Sequence, residues 1–210
     1  MSHAKPLLFP MFVKLAGRRC VVVGGGTIAE SKVESLLASG ARVTVVAPEL
    51  TAGLGSQQRL GQFQWYARRF EACDLVGAFL VIAATSDDAV NEQVYREAER
   101  RGILCNAVDQ PARCHFYFPS VVQRGDLQIA ISTAGQSPSL AQRLRKELEA
   151  QFSPEYGEWV QWLGEVRGRL MARAVSFEAR KRVLGFLARR ESFERWLTAR
   201  QHKSEQKEAA

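Results

Sequence analysis

Arg19-Cys20-Val21-Val22-Val23-Gly24-Gly25-Gly26-Thr27-Ile28-Ala29 decides the fold. The valine run is too continuous for a half-exposed strand, so it reads as one buried on both faces. Glycines end it, and a helical pattern with Ile28, Val33, Leu36 and Leu37 apolar follows until Gly40 stops it. Arg42 to Ala47 is a second strand, closed by Pro48. Strand, helix and strand within about 30 residues make a βαβ unit, whose crossover sets the two strands parallel.

The alternation continues outward from that unit. Gln62 to Ala67 reads as a short strand, and Phe79 to Ala84 as a strongly apolar one ending at Thr85-Ser86-Asp87-Asp88. Ala89 to Arg101 follows as a helix with Asp88 as its cap. Ile103 to Val108 is a further strand, ending at Asp109-Gln110-Pro111. The fold class is therefore α/β, with a Rossmann-like doubly wound parallel sheet over residues 1–112. Then the character changes. Phe116 to Val122 and Leu127 to Thr133 are β-runs joined by Gln123-Arg124-Gly125-Asp126, an antiparallel hairpin. Ser137-Pro138 is a cap with proline at the first helical position. Leu140 to Phe152, Glu155 to Val175 and Phe177 to Arg190 carry helical spacing, and Gln201 to Ala210 is a polar tail expected to fray. The expected divisions are residues 1–112, a hairpin-plus-helix-start segment at 113–148, and a helical part at 149–210.

With 210 residues, 46% of them hydrophobic, the chain holds ample material for a core, which excludes a disordered tail, a collagen-like fibre and a disulfide mini-protein. The longest apolar run, Leu75 to Ala84, is about half the roughly 20 residues of a membrane span. Two prolines break the apolar patch Pro6 to Val13, and no small-residue cleavage site follows it. These features read as a cytoplasmic protein with no membrane partner. Cys20, Cys73, Cys105 and Cys114 form no C-x-x-C pair and read as buried thiols. Two of the three histidines, His3 and His202, sit near the ends, so no histidine-built metal site is expected. The net charge of +7 is uneven: residues 1–112 carry 12 Lys/Arg against 11 Asp/Glu, and residues 113–210 carry 17 against 11. A basic half suits nucleic acid, a membrane surface or a polyanionic small molecule, and composition does not choose among them.

Gly24-x-Gly26-x-x-Ala29, after a strand and opening a helix, is a dinucleotide-binding pattern, whose glycines let the backbone approach a pyrophosphate held at the helix N-terminus, or a glycine-rich turn kept for packing. Gly24, Gly25, Gly26, Thr27, Ile28 and Ala29 are its candidate residues. The acidic residue that holds the ribose hydroxyls after the second strand is missing. Ala47-Pro48 stands there, with Glu49 two positions beyond Ala47 as a substitute. Arg42 begins that strand, the wrong end for a ribose phosphate, which favours NAD over NADP. Thr85, at the end of an apolar strand, is a cofactor contact or part of a helix-opening loop. Asp109, at the end of another, is a proton acceptor for hydride chemistry or a turn aspartate. His115 is a substrate-contacting acid–base group or a hairpin residue. Ser132-Thr133-Ala134-Gly135-Gln136-Ser137-Pro138, beside Arg143, Arg145 and Lys146, is a carboxylate-binding edge or a capped helix with a solvated basic face. Its candidate substrate contacts are Ser132, Thr133 and Ser137. Trp159, Trp162 and Trp196 read as core or interface aromatics.

Taken in order, the motifs resemble the precorrin-2 dehydrogenase / sirohydrochlorin ferrochelatase family, which includes the N-terminal half of siroheme synthase. The resemblance runs from about Phe9 to residue 150. It rests on Gly24-Gly25-Gly26-x-x-Ala29-x-x-Lys32, Val43-Thr44-Val45-Val46-Ala47-Pro48, Ala83-Ala84-Thr85, Cys105-Asn106-x-x-Asp109, Phe118-Pro119-Ser120, Gly125 to Thr133 and Ser137-Pro138. It implies NAD-dependent oxidation of precorrin-2 to sirohydrochlorin on the route to sirohaem, and sometimes cobalamin, with Asp109 matching the family's general base. It also implies a homodimer built through residues 113–148, and a tetrapyrrole substrate whose eight carboxylates suit a basic second half. The precorrin-2 would come from an upstream uroporphyrinogen methyltransferase on a separate protein. Some members also insert Fe²⁺, as a substrate, and others only oxidise. Two rivals from other classes are an NAD-sensing regulator with a basic nucleic-acid-binding helical domain and an NAD-binding module of a transporter. Against the first, Arg180-Lys181-Arg182 and Arg189-Arg190 show no helix-turn-helix spacing, so no nucleic-acid partner is expected.

Overall fold

A computed structural model describes residues 7–173 and 175–208, the last six by backbone alone; His3, Pro6, Ala174, Ala209 and Ala210 are outside the described residues. The chain divides into two compact units, Met1–Phe118 and Pro119–Ala210.

In the first unit, β1 (Arg19–Val23), α1 (Thr27–Ala38), β2 (Arg42–Val46), α2 (Ala52–Arg59), β3 (Gln64–Tyr66), β4 (Leu80–Ala83), α3 (Asp88–Arg101) and β5 (Leu104–Ala107) alternate. The strands are all parallel, in the order β3-β2-β1-β4-β5. Alternate residues of β1 feed different cores. Cys20 and Val22 join Ala29, Val33 and Leu36 of α1, whereas Val21 and Val23 join Val94 and Ala98 of α3. Burial on both faces is why the strand is uniformly apolar. After β1 the chain winds first to β2 and β3, then returns to the other side for β4 and β5. A crevice therefore opens at the carboxyl ends of β1 and β4.

Three local readings change. Helix α2 was not evident in the sequence: it buries only Leu54, and Thr51 caps it by accepting the Leu54 amide. The cap of α3 is Asp87 rather than Asp88, since Asp87 accepts the Ala89 and Val90 amides, while Asp88 reaches Gln110 and Arg113. The expected strand from Phe116 starts only at Ser120, because residues before Pro119 are bound to β5. His115 donates its amide to Cys105, Asn106 Nδ2 donates to the Phe116 carbonyl at 2.8 Å, and Cys114 bridges Asn106. The segment 113–148 expected from the sequence thus straddles the division between units.

In the second unit, β6 (Ser120–Arg124) and β7 (Leu127–Ile131) form an antiparallel hairpin, followed by α4 (Pro138–Gln151), α5 (Glu155–Ala172), α6 (Phe177–Leu187) and α7 (Arg190–Glu208). A Cβ on Gly125 would lie 3.1 Å from Gly157 Cα, so α5 crosses the hairpin turn through paired glycines. Tyr156 and Trp159 of α5 pack tilted against Phe193 of α7 at 4.2 and 5.1 Å between ring centroids, an aromatic core in which Trp196 stacks on Phe193. The helix expected to run to Arg190 breaks after Leu187, where the Ser192 hydroxyl donates to the Phe186 carbonyl. The tail expected to fray is helical to Glu208. Among the described residues, no helix is long and apolar enough to cross a membrane.

One ion pair of the first unit joins a buried carboxylate to a partly exposed guanidinium. Asp74 is buried and accepts Arg68 at 2.6 and 2.8 Å and the Glu71 amide at 2.9 Å. Burial pushes its carboxyl up, but the guanidinium and the amide outweigh it and hold it below the usual range. Because the Arg68 side chain is 37% exposed and partly screened, Asp74→Asn is expected to cost about 2 kcal/mol, the low side for a buried pair. The contribution is fully present above the unfolded carboxyl pKa of about 4 and fades as pH falls through the lower folded value. Urea unfolding of both proteins at neutral and acid pH checks it: a gap that fails to narrow at acid pH refutes the assignment.

Candidate active site

The glycine loop divides into two parts by geometry. Gly24 has φ +127°, and its amide donates to the Val46 carbonyl at 3.0 Å. A Cβ there would strike the Ala84 carbonyl beyond β4, and one on Gly25 would strike the Glu49 carbonyl. Both glycines are therefore demanded by the chain's own packing. Gly26 differs. Its φ of −84° and ψ of −176° suit any residue, and nothing lies within 4 Å of a Cβ placed there. Gly26 is also the N-cap of α1 with no side chain capping the helix, whose first bond runs from the Glu30 amide to the Gly26 carbonyl. An uncapped helix start under open space leaves amide donors and the positive end of the helix dipole for an anion. This cradle fits a dinucleotide pyrophosphate. Thr27 and the 47%-exposed Ile28 line its rim, and buried Ala29 lets α1 pack close to the sheet.

On the β2 side, Ala47 is buried. Its methyl faces the space above Gly25, and its carbonyl accepts Trp65 Nε1 at 2.9 Å. A carboxylate at position 47 has no room, which explains its absence. Pro48 and Glu49 are exposed. Arg42 donates to the Gly17 carbonyl at the opposite end of β2. The Thr85 hydroxyl donates to Asn91 Oδ1 at 2.8 Å and accepts the Asp87 amide at 3.2 Å. That fastens the loop beside Gly24 to the start of α3.

Asp109 lies two residues beyond β5, exposed, with φ +60°, a left-handed conformation uncommon outside glycine. Its charge acts on Lys32 of α1, whose ammonium stands 3.9 Å over the Phe118 ring. In the sequence, Lys32 and Phe118 stand only within motifs and not as site candidates. The available signal was the four-residue step from Ile28, which puts Lys32 next along the same side of α1.

The remaining candidates are engaged locally. Where the sequence offered His115 to the substrate, the fold commits both of its ring nitrogens: Nδ1 accepts the Cys105 amide at 2.9 Å and Nε2 meets Glu99 at 2.5 Å. In the second unit the Thr133 hydroxyl exchanges hydrogen bonds with the Ser137 amide and carbonyl, the Ser132 hydroxyl accepts the Ala134 amide, and the Ser137 hydroxyl caps α4. Arg143 and Arg145 pair with Glu147 and Glu149. Burial pushes the Cys20 thiol up to about 11 and the Cys105 thiol to about 12, so neither serves as a thiolate. Among the described residues, no group of three or more His, Cys, Asp or Glu side chains gathers to hold a metal.

Residues 11–120 match a family described as putative NAD(P)-binding, and residues 124–151 match one described as sirohaem biosynthesis protein central. The siroheme synthase of Photorhabdus laumondii is 42% identical over 172 residues, 82% of this chain and 37% of that protein. That of Actinobacillus pleuropneumoniae is 40% identical over 200 residues, 95% of this chain and 41% of that protein. The chain thus spans well under half the length of these relatives. The solved structure of SirC, a precorrin-2 dehydrogenase, is 30% identical, with a TM-score of 0.76 over 88% of this chain and 92% of that one. The first unit is accordingly an NAD(P)-binding domain, and from likeness of this extent in both sequence and fold we conclude that the chain belongs to the precorrin-2 dehydrogenase family.

Proposed function

We propose that the protein oxidises precorrin-2 to sirohydrochlorin with NAD as acceptor. The observation that carries this is the uncapped start of α1 under open Gly26, in the same unit as an exposed carboxylate beyond β5. The oxidation removes a hydride and a proton and extends the macrocycle's conjugation. NAD⁺, when bound, supplies the two-electron hydride acceptor. The chain does the rest: the α1 amides hold the pyrophosphate, the loops at Ala47-Pro48-Glu49 and Thr85 flank the cofactor, and Asp109 takes the proton. NAD is favoured over NADP because Arg42 is committed to Gly17.

The basic second half, 17 Lys/Arg against 11 Asp/Glu over residues 113–210, attracts a substrate with eight carboxylates. Ser132, Thr133 and Ser137 are its proposed contacts there. Two strands alone make a marginal sheet, and β6–β7 has two unpaired edges among the described residues. We assign that segment to homodimer formation. A cytoplasmic setting and supply of precorrin-2 by an upstream uroporphyrinogen methyltransferase complete the proposal.

Purified protein, NAD⁺ and enzymatically generated precorrin-2, mixed without oxygen, should develop the sirohydrochlorin spectrum only when all three are present. Fe²⁺ added to the same cuvette tests chelation, with iron as substrate. An unchanged spectrum from protein that binds NAD refutes the substrate assignment. His115→Phe should cost about 1–2 kcal/mol by orphaning the Cys105 amide while leaving kcat unchanged, measured by denaturant unfolding beside the turnover assay. A large fall in kcat would return His115 to the chemistry.

A further inference from the structure

Asp109 is the third residue of the turn that leaves β5, closed by the Gln110 amide donating to the Ala107 carbonyl at 3.2 Å. The residues just after it are fastened to the start of α3. Arg113 Nη1 donates to Asp88 Oδ1 and to Gln110 Oε1, both at 2.7 Å, and Arg113 Nε meets Glu92 Oε2 at 2.5 Å. Gln110 Nε2 donates to the same Asp88 oxygen, and the Arg113 amide donates to the Gln110 carbonyl at 2.9 Å. One guanidinium therefore joins two carboxylates a helical turn apart to the residue that follows Asp109. Its side chain is 24% exposed, so the pairing is screened less than an ordinary surface pair. The start of α3 also holds the loop beyond β4. Buried Asn91 accepts the Thr85 hydroxyl at 2.8 Å and donates to the Thr85 carbonyl at 3.0 Å. The loop beside Gly24 and the Asp109 turn thus share one anchor.

We propose that Arg113 is a positioning residue that clamps the Asp109 turn to α3 and so fixes its carboxylate relative to the cofactor loop at Thr85. The role rests on the reading of Asp109 as proton acceptor. The turn alone secures little, because Asp109 is exposed, left-handed in backbone and closed in by a single 3.2 Å bond. Misplacement of a reacting group by about 1 Å can cost about 100-fold in rate.

The test compares Arg113→Met, Asp88→Asn and the double variant in the full chain. Arg113→Met should lower kcat for precorrin-2 oxidation by about 10- to 100-fold, with KM and NAD affinity changed by less than about 3-fold. Asp88 is 70% exposed, so Asp88→Asn spares the fold. It should lower kcat by about 3- to 10-fold, and the double variant should be no slower than Arg113→Met, since both changes open one clamp. A role confined to stability would lower Tm and leave kcat unchanged in Arg113→Met, and that result overturns the proposal. Losses that multiply in the double variant also overturn it. A second readout is independent of turnover: by NMR, the Gln110 amide that closes the Asp109 turn should exchange with solvent about 10-fold faster in Arg113→Met than in the unsubstituted protein. Unmoved exchange refutes the clamp. If the unsubstituted protein fails to oxidise precorrin-2 but this exchange quickens, the clamp stands and the functional reading falls.

Discussion

Asp109→Ala is expected to abolish precorrin-2 turnover and to leave NAD binding within about 2-fold of the unsubstituted protein, because removing a proton acceptor, the role proposed for Asp109, typically costs about 100- to 10,000-fold. The two halves of this result have separate structural causes. Asp109 is exposed and lies outside both apolar cores, so its loss opens no cavity. The anion cradle is formed by backbone at Gly26 and the first turn of α1, to which the Asp109 side chain contributes nothing. The φ of +60° adds a control. Alanine tolerates the left-handed region poorly, whereas asparagine is enriched there. Asp109→Asn therefore preserves backbone and shape while removing the basic oxygen, and should be as inactive as Asp109→Ala but more stable. Single-turnover spectra with saturating NAD⁺ measure the chemical step, and NADH fluorescence titration measures binding. Near-wild-type turnover in Asp109→Asn would refute the assignment.

The parts of this fold legible in the sequence are those where local chemistry and tertiary burial agree. The β1 valines are apolar because each face packs a different helix, so the run itself announces a central parallel strand. Ser137-Pro138 reads as a helix start, and the Ser137 hydroxyl accepts the Leu140 amide. Helix α2 was invisible because one leucine carries its burial. A Cβ on Gly53 would collide with the Glu30 carboxylate, which also accepts the Thr51 hydroxyl at 2.5 Å, so α2 is anchored by contacts to α1 that periodicity does not report. Asp87 and Asp88 are chemically equivalent as caps, and only the backbone path selects the first. Phe116 to Phe118 has the composition of a strand, yet the Asn106 side chain, donating to the Phe116 carbonyl, ties its start to β5 instead.

The candidate site divides in the same way. Its glycine loop is contiguous and was readable. Lys32 and Phe118 meet only after α1 and the segment beyond β5 are folded together, so no spacing rule links them. His115 is the converse: its nearness to Asp109 is legible in the sequence, whereas the direction of its two nitrogens toward Cys105 and Glu99 is a tertiary property.

That contiguous loop permits a sharp separation of packing from ligand binding, since Gly24→Ala and Gly26→Ala are the same chemical change two residues apart. At Gly24 the methyl meets the Ala84 carbonyl on a backbone with φ +127° that L residues rarely adopt. Strain and overlap together should cost about 4 kcal/mol, a fall of roughly 10 °C in Tm for a chain of this size. At Gly26 the backbone is already extended and the methyl meets no protein atom within 4 Å. Its Tm should hold or rise slightly, since alanine restricts the unfolded chain more than glycine does. The same methyl occupies the space through which a pyrophosphate approaches the α1 amides, so NAD affinity should fall by about 10- to 100-fold, the loss of roughly 1.4–2.7 kcal/mol of anion binding. Thermal unfolding with and without NAD separates the two variants: Gly24→Ala has a low Tm in both conditions, whereas Gly26→Ala matches the unsubstituted protein without NAD and loses the stabilisation that NAD confers. If Gly26→Ala keeps that stabilisation, the pyrophosphate does not lie over Gly26. The glycine triplet would then be a packing turn, and the dinucleotide would have to be seated elsewhere on the sheet edge.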